Sequence, residues 1–194
     1  MAHKFEYFDI AKELFSSPVY PGDPVPEKKP FKSIADGDSC NLTHLSMGSH
    51  CGTHLDAPKH FVPDGAGVSE IPLSKVIGMC KVVEAVGPVS PEQTAEWLFD
   101  GTSKLLIKGE ILITPEAADM MASKGLELIG VEGQTVGADG TQQIIHCTLL
   151  EAEIVILEGL DLSQTKPGTY FLASQPLKMD GLDGSPVRPI LIKL

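Results

Sequence analysis

Three of the six histidines and one aspartate fall within the eleven residues His50-Cys51-Gly52-Thr53-His54-Leu55-Asp56-Ala57-Pro58-Lys59-His60, and His50, His54, Asp56 and His60 all occupy even positions. Imidazole nitrogen and carboxylate oxygen are ligands that suit Zn²⁺, Mn²⁺ or Fe²⁺. A mixed set without thiolate is more typical of catalytic than of structural metal sites. In an extended strand, residues four apart are separated by roughly 13 Å, too far for two imidazoles to share an ion at about 2 Å each. On a helix the same spacing is roughly 6 Å, but Gly52 and β-branched Thr53 weaken a helix and Pro58 breaks one. A segment bent at Gly52 fits better. His54 and Asp56 then share one face of the extended piece after the bend, and His60 returns after the Ala57-Pro58 turn. Any one of these histidines taken alone reads as a surface or hydrogen-bonded core residue; the four residues together read as a metal site.

One loop gives a metal site a single wall, and the second half of the chain offers few further ligand types. His146 lies in an expected helix, residues 141–152, and Glu158 follows the apolar run Ile154 to Leu157. Carboxyl ends of strands are where ligand crevices form in α/β sheets. By position alone, however, Glu158 could simply be a solvated residue at a strand end.

The elements that must hold these residues show in the pattern around them. Residues 79–86 have strand composition. Ser90-Pro91-Glu92-Gln93 combines an N-cap, a proline at the first helical position and a capping-box glutamine, so a helix is expected to about Phe99. Lys104 to Lys108 fits a buried strand, Thr114-Pro115-Glu116 opens a helix that Gly125 closes, and residues 126–132 read as a strand. Residues 154–157, 170–174 and 188–194 supply three more strands. Residues 16–30, with six prolines or glycines among Pro18, Pro21, Gly22, Pro24, Pro26 and Pro30, read as an extended loop lying across a cleft. The first half is mostly β and the second alternates strand and helix, which predicts an α/β fold with a mixed, barrel-like sheet flanked by helices, in one domain over residues 1–194.

Composition narrows the function. The formal charge of −11 and the lack of a basic cluster argue against a nucleic-acid partner. An anionic substrate would need local positive charge, which bound divalent cations provide. No apolar run approaches the roughly 20 residues that span a bilayer, and the start of the chain has no secretory h-region, so no membrane association and a cytoplasmic location are expected. Cys40, Cys51, Cys80 and Cys147 form no Cys-x-x-Cys pair and are expected to be thiols.

His50-x-Gly52-Thr53-His54-x-Asp56-x-Pro58-x-His60 resembles the signature of the metal-dependent cyclase family, which contains bacterial kynurenine formamidases and isatin hydrolases. Tyr20-Pro21-Gly22-Asp23, Leu112 to Ala118, His146, Ile156 to Leu160, and the stretch from Pro176-Leu177-Lys178 to Pro186-Val187-Arg188 resemble its other landmarks. The resemblance implies a swivelling β/β/α-type fold, a homodimer or homotetramer, and two divalent metal ions, zinc first and manganese as the alternative. It implies that His50, His54, Asp56 and Glu158 hold one ion and that Asp56, His146 and Glu158 hold the other. His60 is left as general acid/base. The implied activity is hydrolysis of a small-molecule amide by metal-bound hydroxide, with arylformamidase (N-formylkynurenine to kynurenine plus formate, a step of tryptophan catabolism) as the leading case.

Isatin-type lactam opening, a cyclase/dehydratase activity, or metabolite binding without turnover are the alternatives. The chain departs from kynurenine formamidases at substrate-facing Tyr20, where they carry Trp. It is also shorter between Lys108 and Leu112, and has Glu132 and Thr135 where relatives usually have Asp and Ser. Thr53 and Ser49 read as structural hydroxyls, and Cys51 and Cys147 as packing residues.

Overall fold

The computed structural model describes residues 5–138 and 140–194. In chain order the elements are β1 (Glu6–Asp9), β2 (Glu27–Lys32), β3 (Leu42–Ser46), β4 (His54–Asp56), α1 (Leu73–Val76), β5 (Ile77–Glu84) and β6 (Gly87–Val89). They continue with α2 (Pro91–Trp97), β7 (Lys104–Lys108), β8 (Ile111–Ile113), α3 (Pro115–Ser123), β9 (Leu128–Val131) and α4 (Gln142–Glu151). Strands β10 (Val155–Glu158), β11 (Gly168–Ala173), β12 (Gly184–Pro186) and β13 (Ile190–Lys193) complete the order. The local signals act as read. Ser90 Oγ accepts from Gln93 N at 3.3 Å while Gln93 Oε1 accepts from Ser90 N at 3.0 Å, a reciprocal cap at the start of α2. Thr114 Oγ1 accepts from Ala117 N at 3.2 Å to cap α3, and Gly125 at φ 70° follows its end.

Nine strands form one curled, half-barrel sheet in the order β1-β13-β11-β5-β7-β9-β10-β4-β12. The central β5, β7, β9 and β10 are parallel, with α2, α3 and α4 as the crossovers that parallel neighbours require. Antiparallel strands flank this centre on both sides. Strands covered on both faces read as continuous apolar runs, which is why Lys104 to Lys108 and Val155 to Glu158 show little alternation. Their side chains nevertheless divide. Leu105, Ile107, Ile129 and Ile156 pack with Ala117, Met121, Ile145 and Leu149 under the helices. Leu106, Leu128, Val155 and Leu157 pack with Leu55, Val82, Tyr170 and Leu191 on the concave face.

Two readings need correction. The loop expected over residues 16–30 ends at Pro26, because Glu27–Lys32 pairs with Leu42–Ser46 in a separate two-stranded ribbon whose residues are all exposed. The register is irregular between Pro30 and Lys32, and such an irregularity is where a strand tolerates a residue without an N–H. Helix α2 stops at Trp97, two residues before Phe99. No helix of the described residues is long and apolar enough to cross a membrane, and all four cysteines are free.

Gly159 closes the structure behind the candidate ligands. It adopts φ 70°, and a Cβ there would lie 2.7 Å from the carbonyl oxygen of Gly52. Gly159→Ala is therefore expected to cost at least the roughly 1–3 kcal/mol of a non-glycine residue in this conformation, and to push apart the two segments that carry His54 and Glu158. Urea unfolding measures this. A midpoint equal to the parent's would contradict the close backbone packing.

Candidate metal centre

Strand register brings the distant ligands together. β4 runs antiparallel to β10 with His54 opposite Glu158 and Asp56 opposite Ile156. Alternation sends Leu55 and Leu157 into the concave core and turns His54, Asp56 and Glu158 to the helix-covered face. Above that face, α4 buries Ile145, His146, Leu149 and Leu150, so its apolar stripe carries one imidazole into the site. The bend expected at Gly52 is present, with φ 63°, and a Cβ there would lie 3.3 Å from the Leu14 backbone. It folds His50 back over β4.

The resulting cluster has two halves that share Asp56. His50, His54 and Asp56 converge on one side; Asp56, His146 and Glu158 converge on the other, all three of them buried. His54 Nε2 lies 3.3 Å from Asp56 Oδ1 and 3.4 Å from Glu158 Oε2. His146 Nε2 lies 3.3 Å from Glu158 Oε1 and 3.7 Å from Asp56 Oδ2. The tautomers are set from behind. His54 Nδ1 donates to the Gly52 carbonyl at 3.0 Å, and His146 Nδ1 to the Gln142 carbonyl at 2.8 Å. Both Nε2 atoms therefore face the carboxylates, the edge that an imidazole ligand presents once that nitrogen has lost its proton. Asp56 Oδ2 is buried and has no hydrogen-bond partner, the one such side-chain atom among the described residues. A buried carboxylate oxygen without a hydrogen bond is costly by itself and is satisfied by a cation, so the donor set fits a divalent metal ion.

Charges in the ion-free cluster follow from these contacts. Burial opposes ionisation of Asp56, yet hydrogen bonds from His50 and His54 outweigh it and hold its carboxyl far below the ordinary range. Burial likewise opposes protonation of His50, His54 and His146, but Asp56 raises the first, Asp56 and Glu158 raise the second strongly, and Glu158 raises the third. His60 differs. It sits in the short helical turn Pro58–His60, its ring stacked on His50 at 3.9 Å between centroids, and burial lowers its pKa. It belongs to neither half of the cluster that contains Asp56.

The cluster opens into a cavity of about 250 Å³ lined by Tyr20, Asp23, His60, Phe61, Gln134 and Gln142 as well as the candidate ligands. Tyr20 Oη donates to Gln142 Oε1 at 2.9 Å, and Gln134 Nε2 donates to the Pro18 carbonyl at 2.6 Å, so two glutamines tie the proline-rich loop over the mouth. A larger cleft of about 780 Å³ lies beside the short 108–112 turn, but it lacks a donor cluster. The Glu132 carboxylate there is engaged by the Gly109 and Leu162 amides, a structural task for this residue. Thr53 Oγ1 donates to the Gly159 carbonyl at 2.6 Å, which makes it structural too, and burial pushes the Cys51 thiol up, away from nucleophilic use.

Sequence reasoning missed Asp183, whose Oδ2 accepts from His50 Nε2 at 2.8 Å, and also Gln134 and Gln142. Asp183 falls inside the 176–188 stretch singled out by resemblance, the only signal that pointed there.

Raised folded-state pKa values give a signed pH dependence. In ion-free protein, the His50, His54 and His146 pairs contribute stability that is fully present below the unfolded imidazole value near 6.5 and is lost as pH rises through their raised folded values. His60 acts in the opposite sense, but singly. Urea midpoints of the EDTA-treated protein are thus expected to fall between about pH 6 and pH 9, whereas the added stability from saturating Zn²⁺ or Mn²⁺ should grow over the same range because ligands must shed protons. A midpoint of the EDTA-treated protein that rises with pH would refute the charge assignment.

Comparison with known proteins agrees with this geometry. The Cyclase family model matches residues 8–100, a span that includes the whole His50 to His60 segment. A solved structure described as a potential metal-dependent hydrolase with cyclase activity superposes with a TM-score of 0.83 at 26% identity, covering 98% of this chain and 99% of its own. A predicted metal-dependent hydrolase from Bacillus stearothermophilus gives 0.83 at 26% identity, with 97% and 98% covered. Isatin hydrolase A from Labrenzia aggregata shares the fold, with a TM-score of 0.83 at 22% identity over 97% of this chain and 93% of its own. The chain is thus similar to the cyclase family over the span that holds the motif, and it shares the fold of these metal-dependent hydrolases over nearly its whole length.

Proposed function

We propose that this chain is a metal-dependent hydrolase of a carbon–nitrogen amide bond, with an arylformamide as the leading substrate class. The observation that carries the reading is the buried, partnerless Asp56 Oδ2, 3.7 Å from His146 Nε2, on a carboxylate whose other oxygen lies 3.3 Å from His54 Nε2. His50, His54, Asp56 and Glu158 would hold one divalent ion, and Asp56, His146 and Glu158 the other, with zinc or manganese suited to these donors. When bound, such ions supply a polarised carbonyl and a water acidified towards a pKa of about 7.

The remaining roles fall to side chains around the cavity. His60, kept neutral by burial, can accept a proton from the attacking water and return it to the leaving nitrogen as the C–N bond breaks. Phe61 and Tyr20 offer ring faces for a planar substrate, and the Tyr20 hydroxyl is already satisfied by Gln142. Lactam opening requires the same steps, so isatin-type hydrolysis is the second substrate to test. The exposed β2–β3 ribbon carries Phe31, Leu42 and Leu45 at the surface, which supports assembly as a homodimer or homotetramer, since a lone two-stranded ribbon is marginally stable in water.

Hydrolysis of N-formylkynurenine and of isatin by protein reconstituted with Zn²⁺ or Mn²⁺ tests the reading directly. Turnover of neither, nor of any other amide or lactam, by folded and metal-replete protein would defeat it. His60→Ala should retain both ions and lose about 10²–10⁴-fold in kcat; loss of metal instead would make His60 a ligand. Glu158→Gln should lower the metal content measured by elemental analysis, and an unchanged stoichiometry would remove its bridging role.

A further inference from the structure

Asp183 stands outside the two donor groups that share Asp56 and touches both of the histidines that overhang them. Its Oδ2 accepts from His50 Nε2 at 2.8 Å and lies 3.6 Å from His60 Nδ1. Its Oδ1 accepts from Ser49 Oγ at 3.1 Å, and its backbone carbonyl accepts from Ala57 N at 2.9 Å. The carboxylate is therefore fixed from two directions. The next residue, Gly184, pairs with Asp56 across β4 and β12, and a Cβ there would fall 2.5 to 2.9 Å from three atoms of the His50 ring. His50 consequently lies flat on bare backbone, with His60 stacked against it at an interplanar angle of 26°.

We propose that Asp183 is a positioning residue for the stacked His50–His60 pair, holding the proton of neutral His50 on Nε2 and, through the stack, orienting His60. The proposal rests on the hydrolase reading given above and deepens it. A neutral imidazole has one N–H and one lone pair. His50 Nδ1 lies 2.8 Å from Asp56 Oδ1, so without a second acceptor the single proton would settle there and occupy the nitrogen that an ion needs. Asp183 draws that proton to the far side and frees Nδ1. The carboxylate lies 3.6 Å from His60 Nδ1, beyond a direct hydrogen bond, so its influence on His60 passes through the stacked His50 ring. His50, His60 and Asp183 also lie close enough to hold an ion themselves, with the His50 proton then on Nδ1 towards Asp56, and the position of that proton in zinc-loaded protein separates the two arrangements.

The test compares the parent with Asp183→Asn, Asp183→Ala and Asp183→Glu, each first checked for an unfolding transition like the parent's. Zinc titration should show affinity reduced about 10–100-fold in the alanine variant, the usual effect of removing a partner behind a ligand histidine, with an intermediate loss for asparagine and partial recovery for glutamate. Nitrogen-15 NMR of the zinc-loaded parent should place the His50 proton on Nε2, and the signal should weaken or move in the alanine variant. In turnover assays kcat should fall with little change in KM. Parent-like zinc affinity together with an unchanged Nε2–H signal in folded Asp183→Ala overturns the proposal. Lack of amide turnover by the metal-replete parent is a separate result: it removes the hydrolase reading and leaves zinc affinity and the NMR signal to decide the role of Asp183.

Discussion

A carboxylate denied access to water has to be met by positive charge, and Asp56 imposes that condition on everything around it. It lies at the middle of three strands, paired with Ile156 of β10 on one side and Gly184 of β12 on the other, with one oxygen held by His50 and the other facing His146 without a hydrogen bond. In the absence of ions, imidazolium groups supply the charge. To serve as ligands the same nitrogens would have to lose their protons. The glycines at 159 and 184 belong to this arrangement, because each removes a side chain where the ligand segments approach one another or the His50 ring.

Much of this was legible in the sequence because it is local. The bend at Gly52, the shared face of His54 and Asp56, and the cap residues Ser90 and Thr114 depend on neighbours only a few positions away. The parallel core strands were legible for a related reason, since burial on both faces leaves unbroken apolar runs. What escaped is non-local. β12 consists of Gly184, Ser185 and Pro186, a composition that favours turns, and it is a strand only because β4 offers it an edge. Asp183 could not be tied to His50 by pattern, because the register between those strands sets the contact. The β2–β3 ribbon escaped because Lys28, Lys29 and Pro30 carry no period-two apolar signal.

Division of labour among the histidines follows from what stands behind each ring. His54 and His146 are backed by main-chain carbonyls, which fix a tautomer without adding a full charge. His50 is backed by a carboxylate, so it experiences negative charge on both edges. His60 has no acceptor in hydrogen-bonding range at its ring and is kept neutral by burial, a state suited to receiving a proton. Three histidines of one short segment, and His146 from a distant helix, thus differ in charge and tautomer because of the atoms packed against them, not because of their position in the motif.

The distance along the chain between these partners has a bearing on how the protein is made. His50 and Asp183 are 133 positions apart, and Thr53 reaches across 106 to Gly159. During synthesis, the His50 to His60 segment emerges long before His146, Glu158 or Asp183, and the three parallel pairings between must close first. Such long-range closure is intrinsically slow. For that interval the nascent chain displays three imidazoles and a carboxylate before the helix and strands that bury them have been made.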